Sequence, residues 1–113
     1  MSKTKIISSW ILAVLLAALF LLAALGKLTG AATEMFEGWG YAPWFATAIG
    51  VLELAGAIGL LIPKTTRPAV LGLTVIMIGA VCTHLMNAEA AQVLRPGIFM
   101  ILLAGLWWLR GKR

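Results

Sequence analysis

Residues Ile6–Leu25 read IISSWILAVLLAALFLLAAL, twenty residues without a charge. An α-helix needs about 20 apolar residues, at about 1.5 Å each, to cross the hydrocarbon core of a bilayer. Three more apolar stretches follow: Trp44–Ile62, interrupted only by Glu53, then Ala69–Leu85 and Gly97–Leu109. The last is short, and spans a bilayer only if its helix starts near Ala90 or the membrane is locally thin. Prolines mark the limits. Pro43, Pro68 and Pro96 suit the first turn of the helix that follows each, where a missing N–H costs nothing, and Pro63 suits the end of the second helix. Trp10, Trp44, Trp107 and Trp108 fall near span ends, where amphipathic rings favour the membrane interface. The spacing predicts an all-α, four-helix transmembrane bundle with spans near 6–27, 43–62, 68–86 and 93–109, in one domain covering 1–113.

Composition agrees. Of 113 residues, 62% are hydrophobic and 12% charged, against about 45–50% and about 25% in soluble domains. The net charge of +5 raises the question of nucleic acid, but the charge is distributed as a topology signal. Lys3, Lys5, Lys64, Arg67, Arg110, Lys112 and Arg113 fall at the termini and in the second loop, and Lys27 and Arg95 on the opposite side with Glu34, Glu37 and Glu89. Seven against two predicts both termini in the cytoplasm. An even number of spans predicts the same side for both independently. Membrane lipids, and not nucleic acid, are the expected surroundings. The first apolar run exceeds the h-region of a signal peptide and lacks a small-x-small cleavage site, so a retained span is expected.

The longest break, Gly30–Pro43, is expected to hold a short interfacial helix over Ala31–Glu37. Met35 and Phe36 would face the membrane, and Glu34 and Glu37 water. Gly38-Trp39-Gly40-Tyr41 then turns the chain.

Three ionisable residues stand at or near bilayer depth: Lys27, Glu53 and His84. Such groups are expensive in a membrane and face the bundle interior. Glu53 lies about 15 Å from either interface. Its helical neighbours Ala46, Gly50 and Ala57 form a small-residue face of the kind that packs against another helix. Desolvation disfavours a lone carboxylate there, so a neutral carboxyl or a nearby cation is expected. Lys27 follows Ala13, Ala17 and Ala24, again a packing face. Side chains on a helix tilt toward its N-terminus. Lys27 and His84 therefore lean into the membrane from outward-running helices, and Glu53 leans up from an inward-running one. The three are expected to form a ligand-binding or structural polar cluster in the outer half of the bundle, with Trp39, Tyr41 and Asn87 as a lid. Singly, each has a plainer account: a snorkelling lysine, an interfacial histidine, a glutamate that glues two helices.

Other residues point to less. Cys82 is alone, which excludes an intramolecular disulfide and a CxxC pair, and its apolar surroundings suggest a small core residue. The five methionines read as core. His84 and Glu53 lack further ligands for a metal, and one histidine leaves haem without a second axial ligand.

Several of these residues form a recognisable series. The run Phe20-Leu21-Leu22-Ala23-Ala24-Leu25-Gly26-Lys27-Leu28 resembles the first-helix signature of the DoxX and DoxX-like family of small bacterial membrane proteins. Phe36, Gly40 and Pro43 are similar to its loop pattern. Gly50-Val51-Leu52-Glu53-Leu54-Ala55-Gly56 through Leu60-Leu61-Ile62-Pro63 resembles its second helix, central glutamate included. Gly79-Ala80-Val81-Cys82-Thr83-His84 resembles the end of its third. The likeness covers roughly residues 8–109. It implies a four-helix bundle in the bacterial inner (plasma) membrane. The family takes its name from a quinol oxidase complex. A related branch includes thiosulfate:quinone oxidoreductase subunits, other members are linked to oxidative-stress membrane complexes, and distant eukaryotic relatives act as assembly chaperones for ligand-gated channels. The extra domains of the oxidoreductase subunits have no counterpart here.

The expected function is a non-enzymatic membrane component, without an intrinsic cofactor, that binds a lipophilic small molecule or a partner membrane protein, or a second copy of itself. The alternative is an accessory subunit of a quinone-linked oxidoreductase or oxidative-stress complex, with His84 donating to a quinone carbonyl and Glu53 relaying a proton. A proton-coupled transporter ranks last, because no broken-helix pair is present.

Overall fold

The computed structural model of the chain describes residues 2–110. Lys112 and Arg113 of the terminal basic group lie outside them. Every regular element among the described residues is helical: α1 (Lys3–Leu28), α2 (Thr33–Gly38), α3 (Phe45–Leu61), α4 (Thr66–Met86) and α5 (Leu94–Arg110). Two 3-10 turns, Pro63–Thr65 and Ala90–Val93, run straight into α4 and α5. Three helical stretches are long and apolar enough to cross a membrane: Lys3–Leu28, Pro63–Met86 and Ala90–Arg110. The apolar helix Phe45–Leu61 is shorter.

Local chemistry sets these limits. Ser2 caps α1, its Oγ accepting from the Lys5 N–H at 3.1 Å, which satisfies one of the donors a helix start leaves open. The chain leaves α1 through Gly30 and leaves α2 through Gly40, with φ of +88° and +94°. A side chain would strain both positions. Pro68 and Pro96 stand in the first turns of α4 and α5, whereas Pro43 precedes α3 by two residues.

The four long helices form a ring in which α1 packs on α3 and α5, and α4 packs on α3 and α5. The core is thin: Leu16 and Phe20 of α1, Leu60 of α3, Leu73 of α4, Leu103 and Leu106 of α5. Phe20 meets Phe99 edge to face, centroids 5.2 Å apart. Most large aliphatic side chains point outward instead, Leu22, Val75 and Ile101 among them. A soluble bundle would carry a polar face there. Cys82 is also exposed, which corrects the expectation of a core residue. Met77 is in the core, but Met35 and Met86 are exposed.

Small residues decide how closely the helices approach. A methyl group built on Gly56 would lie 2.6 Å from Leu73 Cδ2, and one on Gly59 would lie 2.9 Å from Ala69 Cβ. So side chains of α4 lie directly on the glycine backbone of α3 beside their connecting turn. Toward their other ends, no glycine contact holds them together, and a cavity lies there.

Candidate functional site

The cavity has a volume of about 480 Å³ and is walled by all four long helices and by the α2 segment. Ligand sites usually measure about 300–1,000 Å³ and are mostly apolar, with a few convergent polar groups. Lys27, Glu53 and His84 all line it, as do Trp39 and Tyr41.

Glu53 sits in the middle of α3 and is 1% exposed. Its Oε1 lies 2.8 Å from Nζ of Lys27, whose side chain is 18% exposed. The lysine thus turns inward instead of snorkelling to water. The contact is an ion pair without hydrogen-bond alignment, and Oε1 accepts no hydrogen bond among the described residues. Ala46, Gly50 and Ala57 are buried on the same side of α3, so the small-residue face is what lets α1 come close enough for this contact.

His84 reaches the cavity but not the ion pair. Its Nδ1 lies 2.8 Å from Glu89 Oε1, and its ring meets the edge of Trp39 at 5.3 Å. An ionised carboxylate only accepts, so Nδ1 carries the proton in that contact. The partner was not evident in the sequence because a separation of five residues matches no helical neighbour relation. The chain reverses here through Ala88, at φ +58°, and the Glu89 N–H donates to the His84 carbonyl at 2.8 Å.

Tyr41 joins the mouth to α4. Its hydroxyl is 2.6 Å from Thr83 Oγ1. Since Thr83 donates to the Gly79 carbonyl at 2.8 Å and has a single proton, Tyr41 is the donor. Phe36 is buried and packs on Trp39 and Tyr41, centroids 5.2 and 6.0 Å away. It faces the bundle and not the membrane, because the aromatic rings of the turn supply the cover that lipid would otherwise give. Met35 is exposed. Asn87 donates to the Thr83 carbonyl at 2.8 Å and is not among the cavity-lining residues.

Sequence reasoning missed Gln92 and Arg95, which also line the cavity. Arg95 sits in the first turn of α5 with its guanidinium 5.8 Å from the Phe99 ring centroid. It also missed the opposite end of the bundle. Arg110, read as a terminal topology charge, is 2% exposed. Its Nη1 donates to the Leu60 carbonyl at 2.5 Å and to Thr66 Oγ1 at 2.6 Å, and its guanidinium lies over Trp10 at 4.7 Å. A signal was available: Phe99, Leu103, Leu106 and Arg110 follow one another at helical spacing, so the arginine continues the buried stripe of α5.

Comparison with known proteins places the chain. A curated protein of Bacillus subtilis (strain 168), YdgD, described as uncharacterized, is 26% identical over 83 residues, 70% of this chain and 73% of that protein. No solved structure matches. The sequence profile of the DoxX-like family matches residues 11–106, nearly the whole bundle, and the chain belongs to that family.

Proposed function

We propose that this membrane protein binds a lipophilic small molecule in the cavity between its helices, without catalysing a reaction of its own. One observation carries the reading. The Lys27–Glu53 ion pair, at the middle of α3, borders a cavity of about 480 Å³, and the lysine keeps accessible surface while Glu53 is packed behind it. Burying two charges costs several kcal/mol of desolvation each. An apolar filling would hold the helices together equally well, without placing an ammonium group at a cavity wall. Aromatic rings at the mouth and an apolar body below suit a hydrophobic molecule with a polar group.

The positive-inside distribution supports a multi-pass arrangement in the plasma membrane with both termini in the cytoplasm. The cavity mouth then faces outward. Four helices in a ring leave the exposed apolar surface for lipid, for a partner membrane protein or for a second copy.

The test is mass spectrometry of small molecules retained by the protein in nanodiscs, wild type against Glu53→Gln. A defined lipophile is expected whose retention changes in the variant. Bulk lipid alone in both samples would remove the reading, and Glu53 would then be helix-packing glue. If the retained molecule is a quinone, the accessory role beside a membrane oxidoreductase gains the support it now takes only from family resemblance.

A further inference from the structure

Two features of the cavity define its occupant more narrowly than a lipophile. The first is charge. Among the residues that line the cavity, Glu53 is the one carboxylate, and Lys27 pairs with it. Arg95 lines the same cavity and meets no carboxylate there. Its recorded contact is the Phe99 ring, which holds a guanidinium at the cavity wall without neutralising it. The lining therefore keeps one positive charge that no lining carboxylate offsets. It sits in the first turn of α5, at the level of the mouth, where an anion is hydrated and cheap to place. At the depth of Glu53 an added anion would be costly.

The second feature is the side wall. Leu52 of α3 and Val75 of α4 line the cavity and are 55% and 67% exposed. Gly79, also lining, is exposed as well. Below this level α3 and α4 are closed by the contact of Gly56 with Leu73. Above it the loop that leads into α3 is tied to α4 by Tyr41 and Thr83. Between the two lies an opening toward the hydrocarbon of the membrane, bounded by apolar side chains.

We infer that the cavity admits a single-chain anionic amphiphile sideways from the bilayer, its carboxylate or phosphate held by Arg95 and Gln92 at the mouth and its hydrocarbon chain lying in the opening between α3 and α4. This rests on the reading of the cavity as a lipophile site, and adds to it a ligand class and a route. Guanidinium pairs with carboxylate or phosphate through two parallel N–H donors, and the Gln92 amide supplies another. A chain leaving through the side wall meets lipid at once, so a molecule longer than the cavity is accommodated. Two-chain lipids would have to place a second chain against the bundle surface.

The experiment uses the full chain in nanodiscs of zwitterionic lipid, with a palmitic acid carrying a mid-chain diazirine, in mildly alkaline buffer that ionises the carboxyl. The matching alcohol is the control. Adducts are mapped by peptide mass spectrometry. The acid is expected to label residues 49–53 and 75–80. Arg95→Gln should lower that labelling about tenfold, as loss of a charge-assisted hydrogen bond predicts. Arg95→Lys should keep most of it. Arg95 is exposed, so neither variant disturbs folding. Equal labelling by acid and alcohol, or no effect of Arg95→Gln, would overturn the ligand class and leave the lipophile site standing. Adducts spread evenly over the outer surface, or none in those two segments, would overturn both.

Discussion

Gly50 of α3 lies directly against Lys27 of α1: a methyl group in place of the glycine hydrogen would be 2.9 Å from Lys27 Cβ and 3.3 Å from the main-chain oxygen of Ala24. One turn along α3 from this contact stands Glu53. The glycine therefore brings the lysine stem close to α3, and the ammonium group then reaches the carboxylate at 2.8 Å. Packing and electrostatics at this site are one feature.

Gly50→Ala is expected to push α1 away from α3. Overpacking of a tight contact costs about 1–3 kcal/mol, and the helix propensity of alanine returns about 1 kcal/mol of it. The main-chain oxygen of Ala24 cannot swing aside as a side chain could, so net destabilisation should remain. Gly72→Ala is the control: nothing lies within 4 Å of its added methyl, and the variant should be as stable as wild type or slightly more so. Unfolding in mixed micelles compares the two, and equal stability of both variants would mean that α1 and α3 have room for a methyl group at this contact.

The ion pair should behave as a coupled unit. Glu53→Leu leaves the lysine charge without its partner, and Lys27→Met does the same to a nearly inaccessible carboxylate. Breaking a buried pair costs about 3–5 kcal/mol, and the lower end applies here because Lys27 keeps some contact with solvent. The double variant Lys27→Met with Glu53→Leu should recover most of the loss. A double-mutant cycle on unfolding free energies reads this directly. Additive losses would show that the two side chains act independently.

Much of this was legible beforehand, for reasons that particular residues make clear. Uncharged runs such as Ile6–Leu25 identify helices without reference to packing. The faces Ala46–Gly50–Ala57 and Ala13–Ala17–Ala24 mark the side of each helix that packs against a neighbour, without saying which neighbour. Contacts made across turns were beyond reach. His84 finds Glu89 through a reversal at Ala88, and Phe36 turns inward because Trp39 and Tyr41 fold over it. Periodicity describes one helix at a time and does not encode which loop covers which mouth. Arg110 was misread for a different reason: a basic residue at a span end fits the positive-inside pattern so well that its place on the buried stripe went unused.

Arg110 should matter for stability more than a terminal cation normally does. It donates to a main-chain carbonyl at the end of α3 and to the Thr66 hydroxyl at the start of α4, so it ties three helices at one point. Arg110→Met would leave those two buried acceptors without their donor, at about 1–3 kcal/mol. Arg110→Lys should restore little, because the shorter lysine stem stops short of the Nη1 position and its ammonium lacks the planar face that lies over Trp10. Thermal unfolding in detergent distinguishes these outcomes. A lysine variant as stable as wild type would show that charge alone, and not the reach and planar face of the guanidinium, is needed.

The topology makes the last prediction, and it is independent of any ligand. The chain has one cysteine, Cys82, exposed on the side of α4. In a Cys82→Ser background, Glu37→Cys places a thiol in the last turn of the short α2, on the side of the cavity mouth, and Lys64→Cys places one in the turn between α3 and α4. Both replaced side chains are exposed, so the fold should tolerate either. With both termini in the cytoplasm, an impermeant maleimide added to whole cells should label the first variant, and should label the second only after the membrane is opened. The reverse pattern would invert the bundle. It would put Arg95 and the cavity mouth on the cytoplasmic side and turn the search for the ligand to the inner leaflet. Labelling of both sites in intact cells would contradict an even number of crossings and with it the four-span arrangement.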